Sequence, residues 1–114
     1  MILMMKKIEA FVRVEKIQEV RDTMKSSGHG SMINYDIWYR GTSREVSQYN
    51  IETLYDFMPK VKVEMVVEDD VVDEIITILC DSAYTGNVGD GKIFVLPVEE
   101  AIRIQTRENG DMIL

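Results

Sequence analysis

The chain is poor in the residues that staple, chelate or interrupt a fold. It holds one cysteine, Cys80, in 114 residues, so no disulfide can form within it. Its one histidine, His29, has no second histidine and no nearby cysteine to share an ion with, so no metal site is expected. There are two prolines, Pro59 and Pro97, so few positions are barred from regular structure. No run of about 18 apolar residues occurs, which excludes an expected membrane-spanning helix. Positive charge is scarce: 13 Lys and Arg stand against 20 Asp and Glu, a net charge of −7. Broad nucleic-acid binding needs clustered cations and is not expected. Repeats, low-complexity tracts and linkers are also missing, so residues 1–114 read as a single domain. With no disulfide framework, the cytoplasm is the expected compartment.

What is present is a balanced globular composition, 46% apolar and 29% charged. A chain of this length buries only a modest core, and self-association would add to it. The first four residues, Met1-Ile2-Leu3-Met4, are too short and uncharged for a signal sequence. Met5-Lys6-Lys7 reads as a natural beginning.

Two periodicities organise the chain. Lys7 to Val14 alternates, with Ile8, Ala10 and Val12 set against Lys7, Glu9 and Arg13, which predicts a strand with one buried face. Lys16 to Ser27 places Ile17, Val20 and Met24 at helical spacing, with Gly28 as its terminator. Ser31 to Tyr39 is rich in strand formers. Pro59 opens a sharp alternation, with Val61, Val63, Met65 and Val67 on one side. Asp69 or Asp70 is expected to cap the next helix. That helix carries Val71, Val72, Ile75, Ile76, Leu79 and Cys80 on one face, so Cys80 is expected to be a buried, inert thiol. A strand follows from Lys92 to Leu96, which Pro97 is expected to stop, and Ile102 and Ile104 predict a short last strand. Asn109-Gly110-Asp111 reads as a loose tail. Arg40 to Phe57 shows no clean period, and a long irregular segment in a small domain is often functional.

The order β-α-β, β-α-β predicts an α+β, ferredoxin-like split βαβ sandwich, with four antiparallel strands and two helices on one face. The open face keeps apolar residues, Phe11, Val66 and Phe94, that need a cover; self-association is the simplest one.

Chemistry concentrates in Thr85-Gly86-Asn87-Val88-Gly89-Asp90-Gly91-Lys92. Glycines let successive N–H groups turn inward into a nest for an anion, and Lys92 adds a full charge. The loop is not a Walker A motif, because Ile93 rather than Ser or Thr follows Lys92 and a strand rather than a helix comes next. From the residues alone, a phosphate cradle and a plain tight turn with a solvated lysine both remain open. No catalytic residue is expected, since Cys80 reads as buried and His29 lacks a partner. Asp90 beside Lys92 could in principle assist slow hydrolysis of a bound phosphate compound.

Several motifs, in order, resemble the PII signal-transduction proteins, the trimeric nitrogen-regulatory family. These are Met5-Lys6-Lys7-Ile8-Glu9-Ala10, Lys16 through Val20-Arg21 to Gly28, Asp56-Phe57-Met58-Pro59-Lys60-Val61-Lys62-Val63-Glu64, Thr85-Gly86 through Gly89-Asp90-Gly91-Lys92-Ile93-Phe94-Val95, and Val98 with Ile102-Arg103-Ile104. The resemblance implies a homotrimer that binds ATP or ADP, with AMP as a further candidate, at clefts between subunits. It implies a T-loop over residues 40–58, a B-loop over 85–92 and a C-terminal segment over 98–114. Gly89, Asp90, Gly91 and Lys92 would line the phosphates, with Arg103 reaching them from the C-terminal segment. Glu64 and Val66 would lie near the nucleoside, Gly41 at the root of the T-loop, and Lys60 would contact 2-oxoglutarate or anchor the T-loop without it.

Departures from the family pattern bear on the ligands. Thr42-Ser43 stand where the family has Arg-Gln, which weakens the expectation of 2-oxoglutarate with Mg. Ile33 replaces a threonine at the nucleobase, and Gln105 replaces a second arginine. Thr53 occupies the place of the tyrosine that many bacterial members modify. The implied function is a nitrogen or energy regulator that controls a partner through the T-loop: an ammonium transporter, glutamine synthetase, a nitrogenase component or another metabolic enzyme. The alternative is a trimer of this kind that has lost nucleotide and 2-oxoglutarate sensing and simply binds protein.

Overall fold

Alternation makes the first strand, β1 (Met5–Val12), and also decides what it faces. Ile8, Ala10 and Val12 are buried on one side, while Lys7, Glu9 and Phe11 lie on the other. The computed structural model describes residues 4–40 and 57–114. After a 3₁₀ turn, α1 (Ile17–Ser26) buries Val20 and Met24, one helical turn apart. Gly28 follows with φ +86, the left-handed conformation that ends helices. The His29 N–H bonds the Met24 carbonyl at 2.8 Å and the Gly28 N–H bonds the Lys25 carbonyl at 3.1 Å, a Schellman closure.

Strand β2 (Ile33–Tyr39) leads to the undescribed residues 41–56, and β3 (Met58–Glu68) follows them. Val61, Val63 and Met65 of β3 are buried against the helices, as the alternation requires. Helix α2 (Val72–Ala83) contributes Ile75, Leu79 and Ala83, and β4 (Lys92–Val98) completes the sheet. The order is β2-β3-β1-β4, with every neighbouring pair antiparallel. Both helices cover one face, so the fold is the expected split βαβ sandwich. The core, centred on Ile8, Val63, Val20, Met24, Ile75 and Leu79, lies between the helices and the sheet.

The open face is mixed rather than apolar. Phe11 stacks near Tyr39 and Phe94, with ring centroids 5.7 and 5.9 Å away. Beside this cluster, Lys62 reaches Glu9 at 2.8 Å and Glu64 at 3.0 Å, and Lys7 reaches Glu64 at 3.3 Å. Hydrogen bonds to Glu9 and then Glu64 hold the Lys62 ammonium well above the ordinary lysine range.

Five local expectations are corrected. Cys80 is exposed, because the buried stripe of α2 runs through positions 75, 79 and 83, and Cys80 is rotated off it by one residue. Neither Asp69 nor Asp70 caps α2 with its side chain; Asp69 pairs instead with Lys6 at 2.8 Å, across the end of the sheet. Pro97 does not stop β4, which continues to Val98; β4 is an edge strand, where a missing N–H costs no ladder bond. Ile102 and Ile104 do not form a strand. Ile102 makes an isolated bridge to Asn109, and the chain reverses between them through Arg107, at φ 64. The tail beyond is less loose than expected, since a 3₁₀ turn covers Asp111–Ile113.

Candidate functional site

The glycine loop leaves α2 at Tyr84, whose extended backbone ends the helix, and re-enters the sheet at Lys92. One glycine is obligatory for packing. Gly91 lies at φ +109, and a Cβ there would stand 1.6 Å from the Phe11 carbonyl oxygen. The loop therefore passes against the end of β1 at a distance only glycine permits.

Asp90 organises the interior of the loop. Its carboxylate accepts the Thr85 N–H at 2.8 Å, the Gly86 N–H at 3.0 Å, the Thr85 hydroxyl, and Arg13 Nε at 2.9 Å. The Thr85 hydroxyl oxygen in turn accepts the Asn87 N–H at 3.2 Å. Burial opposes ionisation of Asp90. The bonds from Thr85, Arg13 and Gly86 outweigh it and hold the carboxyl well below the usual carboxylate range.

Two cations fix the next two peptides. Arg13 Nη2 donates to the Val88 carbonyl at 3.0 Å, and Lys60 Nζ donates to the Gly89 carbonyl. Both side chains are buried. In a trans peptide the C=O and N–H point to opposite sides, and no cis peptide is present among the described residues. Pulling these carbonyls inward therefore turns the N–H groups of Gly89 and Asp90 outward. Among the described residues, no protein acceptor takes either of them. Lys92 is exposed beside the loop, and its side chain makes no hydrogen bond or ion pair among the described residues. Outward N–H groups next to a lysine are the arrangement that receives an anion.

The expected site residues fall into two groups. Lys60, Gly89, Asp90, Gly91 and Lys92 meet at one end of the sheet. Glu64 and Val66 lie further along β3, with Val66 about 20 Å from Lys60 at strand rise. They line a groove with Ile33, Ile113 and Leu114, of about 620 Å³. Arg103 belongs to this second group: it pairs with Glu108 at 3.4 Å and its Nη2 donates to the Ile113 carbonyl at 3.4 Å. Gly41 and most of the 40–58 segment, including Ser43, Tyr49, Thr53 and Tyr55, lie outside the described residues. A separate apolar cavity of about 390 Å³ lies behind the loop, between α2 and β4, lined by residues such as Ile76, Leu79, Cys80 and Ile93.

Two participants escape the sequence reading. Arg13 reads as an outward strand residue, yet it is buried and carries the loop. Thr85 reads as one more turn residue, yet its hydroxyl and N–H both serve Asp90. The Thr85-to-Asp90 spacing is the one local signal, since a hydroxyl and a carboxylate flanking glycines can satisfy a turn's own N–H groups.

Fold and loop together define a split βαβ domain with an internally braced glycine turn at one end of its sheet. Comparison with known families narrows this: the family model for nitrogen regulatory protein P-II matches residues 5–108, and the chain belongs to that family. It is 43% identical over 111 residues to a nitrogen regulatory protein P-II of Haemophilus influenzae, covering 94% of this chain and 97% of the other. It is 42% identical over 106 residues to a nitrogen fixation nifHD region GlnB-like protein 1 of Methanobacterium ivanovii, covering 93% and 99%. Among solved structures it is similar to Arabidopsis thaliana PII bound to citrate, with a TM-score of 0.79 and 36% identity over 96% of this chain and 91% of that one. The family's members are signal-transduction regulators rather than enzymes. Among the described residues, no helix is long and apolar enough to cross a membrane.

Proposed function

We propose that this chain is a nitrogen or energy regulator that binds an adenine nucleotide between copies of itself and controls a target protein through residues 40–58. The observation that carries the reading is the glycine loop, with two outward N–H groups on Gly89 and Asp90 beside Lys92, whose side chain has no partner among the described residues. Such a site suits the phosphates of ATP or ADP, with AMP a weaker candidate because it offers less charge.

The two groups of site residues support the shared-site part of the proposal. Lys60 and Lys92 lie at one end of the sheet, while Glu64, Val66 and Arg103 gather toward the other. One nucleotide touching both groups needs a second copy to supply the far half. A homotrimer provides that arrangement, and it would also cover the open face around Phe11 and Phe94. Ligand occupancy can move the 40–58 segment only if the two states of that segment differ in nucleotide affinity. Lys60 is suited to the link, because it stands at the start of β3 and bonds the loop at Gly89. The target could be a nitrogenase component, an ammonium transporter, glutamine synthetase or another metabolic enzyme. The Methanobacterium relative's nitrogen-fixation name supports the first, and the Haemophilus relative's general name leaves the others equal.

A second reading is a trimer that binds protein without sensing nucleotide. It draws on Ile33, exposed at the groove, and on Gln105, which brings no charge. Calorimetric titration with ATP, ADP and AMP, with and without Mg and 2-oxoglutarate, alongside light scattering, separates the two. Saturable ATP or ADP binding by a trimer is the expected result. A trimer indifferent to millimolar adenylates selects the second reading, and an indifferent monomer defeats both.

A further inference from the structure

We propose that Arg13 is the positioning residue that makes the glycine loop receptive to phosphate, without touching the ligand itself. The inference rests on the nucleotide reading above. Arg13 stands just beyond β1 and is 9% exposed. Its guanidinium bridges two points of a loop far along the sequence: Nε to the Asp90 carboxylate at 2.9 Å and Nη2 to the Val88 carbonyl at 3.0 Å. The exposed Glu15 also lies 3.8 Å from Arg13 Nη1.

Each grip has a separate consequence for an anion. Holding the Val88 carbonyl inward keeps the Gly89 N–H outward; if that peptide rotated, an oxygen would replace the N–H that faces the anion. Holding Asp90 keeps a carboxylate turned into the loop, on the N–H groups of Thr85 and Gly86, and away from the face where phosphate charge would gather. Arg13 thus presents donors and withdraws an acceptor together. A planar, forked cation can bridge a carboxylate and a carbonyl at once, which an ammonium on a single stem does less well.

The test is calorimetric titration of the full chain, as wild type, Arg13→Ala and Arg13→Lys, with ATP, ADP and adenosine. Arg13→Ala is expected to weaken ATP and ADP by about tenfold or more, the scale of a lost charge-assisted contact. Adenosine, which carries no phosphate, should change by less than about twofold by the same reasoning. Arg13→Lys should recover part of the loss. An Arg13→Ala chain that binds ATP as wild type does, or that loses ATP and adenosine in the same ratio, overturns the proposal. Where Arg13→Ala does not fold, the ATP-to-adenosine ratio of Arg13→Lys decides by the same criterion. A wild-type chain that binds no adenylate defeats the nucleotide reading instead. The loop is then tested with inorganic tripolyphosphate, following the amide resonances of Gly89 and Asp90. Shifts in wild type that shrink in Arg13→Lys uphold the role of Arg13, and unmoved or equal shifts overturn it.

Discussion

The glycine loop and the C-terminal segment are both irregular, yet they are held in opposite ways. The loop is tied from inside. Asp90 accepts four bonds, Arg13 and Lys60 hold successive carbonyls, and Gly91 packs against the β1 backbone. The C-terminal segment is tied mostly to itself, by bonds such as the Arg103 N–H to the Glu108 carbonyl and the Gly110 N–H to the Ala101 carbonyl. Its Ile104 is 95% exposed and its Arg103 rests on an exposed glutamate. A loop whose geometry is settled within one chain can be preorganised for a ligand. The C-terminal segment instead leaves Ile104 to solvent, and in the proposed shared site it would act on the nucleotide of a neighbouring copy.

The largest expected effect breaks the loop outright. Gly91→Ala puts a methyl group into the Phe11 carbonyl at a strained φ, and should cost on the order of 3 kcal/mol or more. A thermal melt should fall by roughly 10 °C or more. The same change at Gly110, which has φ +87 and open space around it, should cost much less.

Next in size is ligand affinity. Lys92→Ala should weaken ATP binding by about 1.5–3 kcal/mol, roughly 10- to 150-fold, with the melt unchanged because the Lys92 side chain is exposed and has no partner among the described residues. Equal loss of affinity and of stability would mean that Lys92 is structural.

Asp90 sharpens the comparison through pH. Asp90→Asn should destabilise the protein by about 2 kcal/mol at pH 7, since it weakens several bonds to a charged acceptor. The Asp90 carboxyl is held below its unfolded value, so its contribution is complete above the unfolded carboxylate range near pH ~4. It declines as pH falls from there toward the folded value. Denaturant melts of wild type and Asp90→Asn should therefore differ by a constant amount from neutral pH to about 5, and converge only in strong acid. Convergence already at pH 6 would contradict the bonding described for Asp90.

The smallest expected effect is on the C-terminal segment. Arg103→Ala should alter the stability of the single chain by less than about 1 kcal/mol, because its pair with Glu108 is exposed. Its effect should appear in nucleotide affinity instead.

Legibility in the sequence followed the range of the interactions. β1 and β3 were readable because alternation is a local signal with a single burial solution, and Ile8, Ala10, Val61 and Val63 all lie where it places them. The end of α1 was readable because Gly28 is its own terminator. Pro97 misled because its tolerance depends on β4 lying at the sheet edge, a property of topology. Cys80 misled because a helix with apolar residues at 75, 76, 79 and 80 leaves its inward direction open by one position, and the sheet chose 75, 79 and 83. Glycines and Lys92 announced the loop. Arg13 did not, because its partners are 75 and 77 residues away and nothing beside it in sequence distinguishes it from an outward strand residue.

The proposal of a phosphate site shared between chains is tested most directly by mixing two crippled chains. Lys92→Ala and Arg103→Ala proteins, each weak for ATP alone, are unfolded, combined and refolded together, and ATP binding is titrated. If the loop of one copy and the arginine of its neighbour grip the same nucleotide, about a quarter of the sites should regain wild-type affinity on random assembly. Absence of any such class of sites, in mixed assemblies verified by mass, would contradict a site built from two chains.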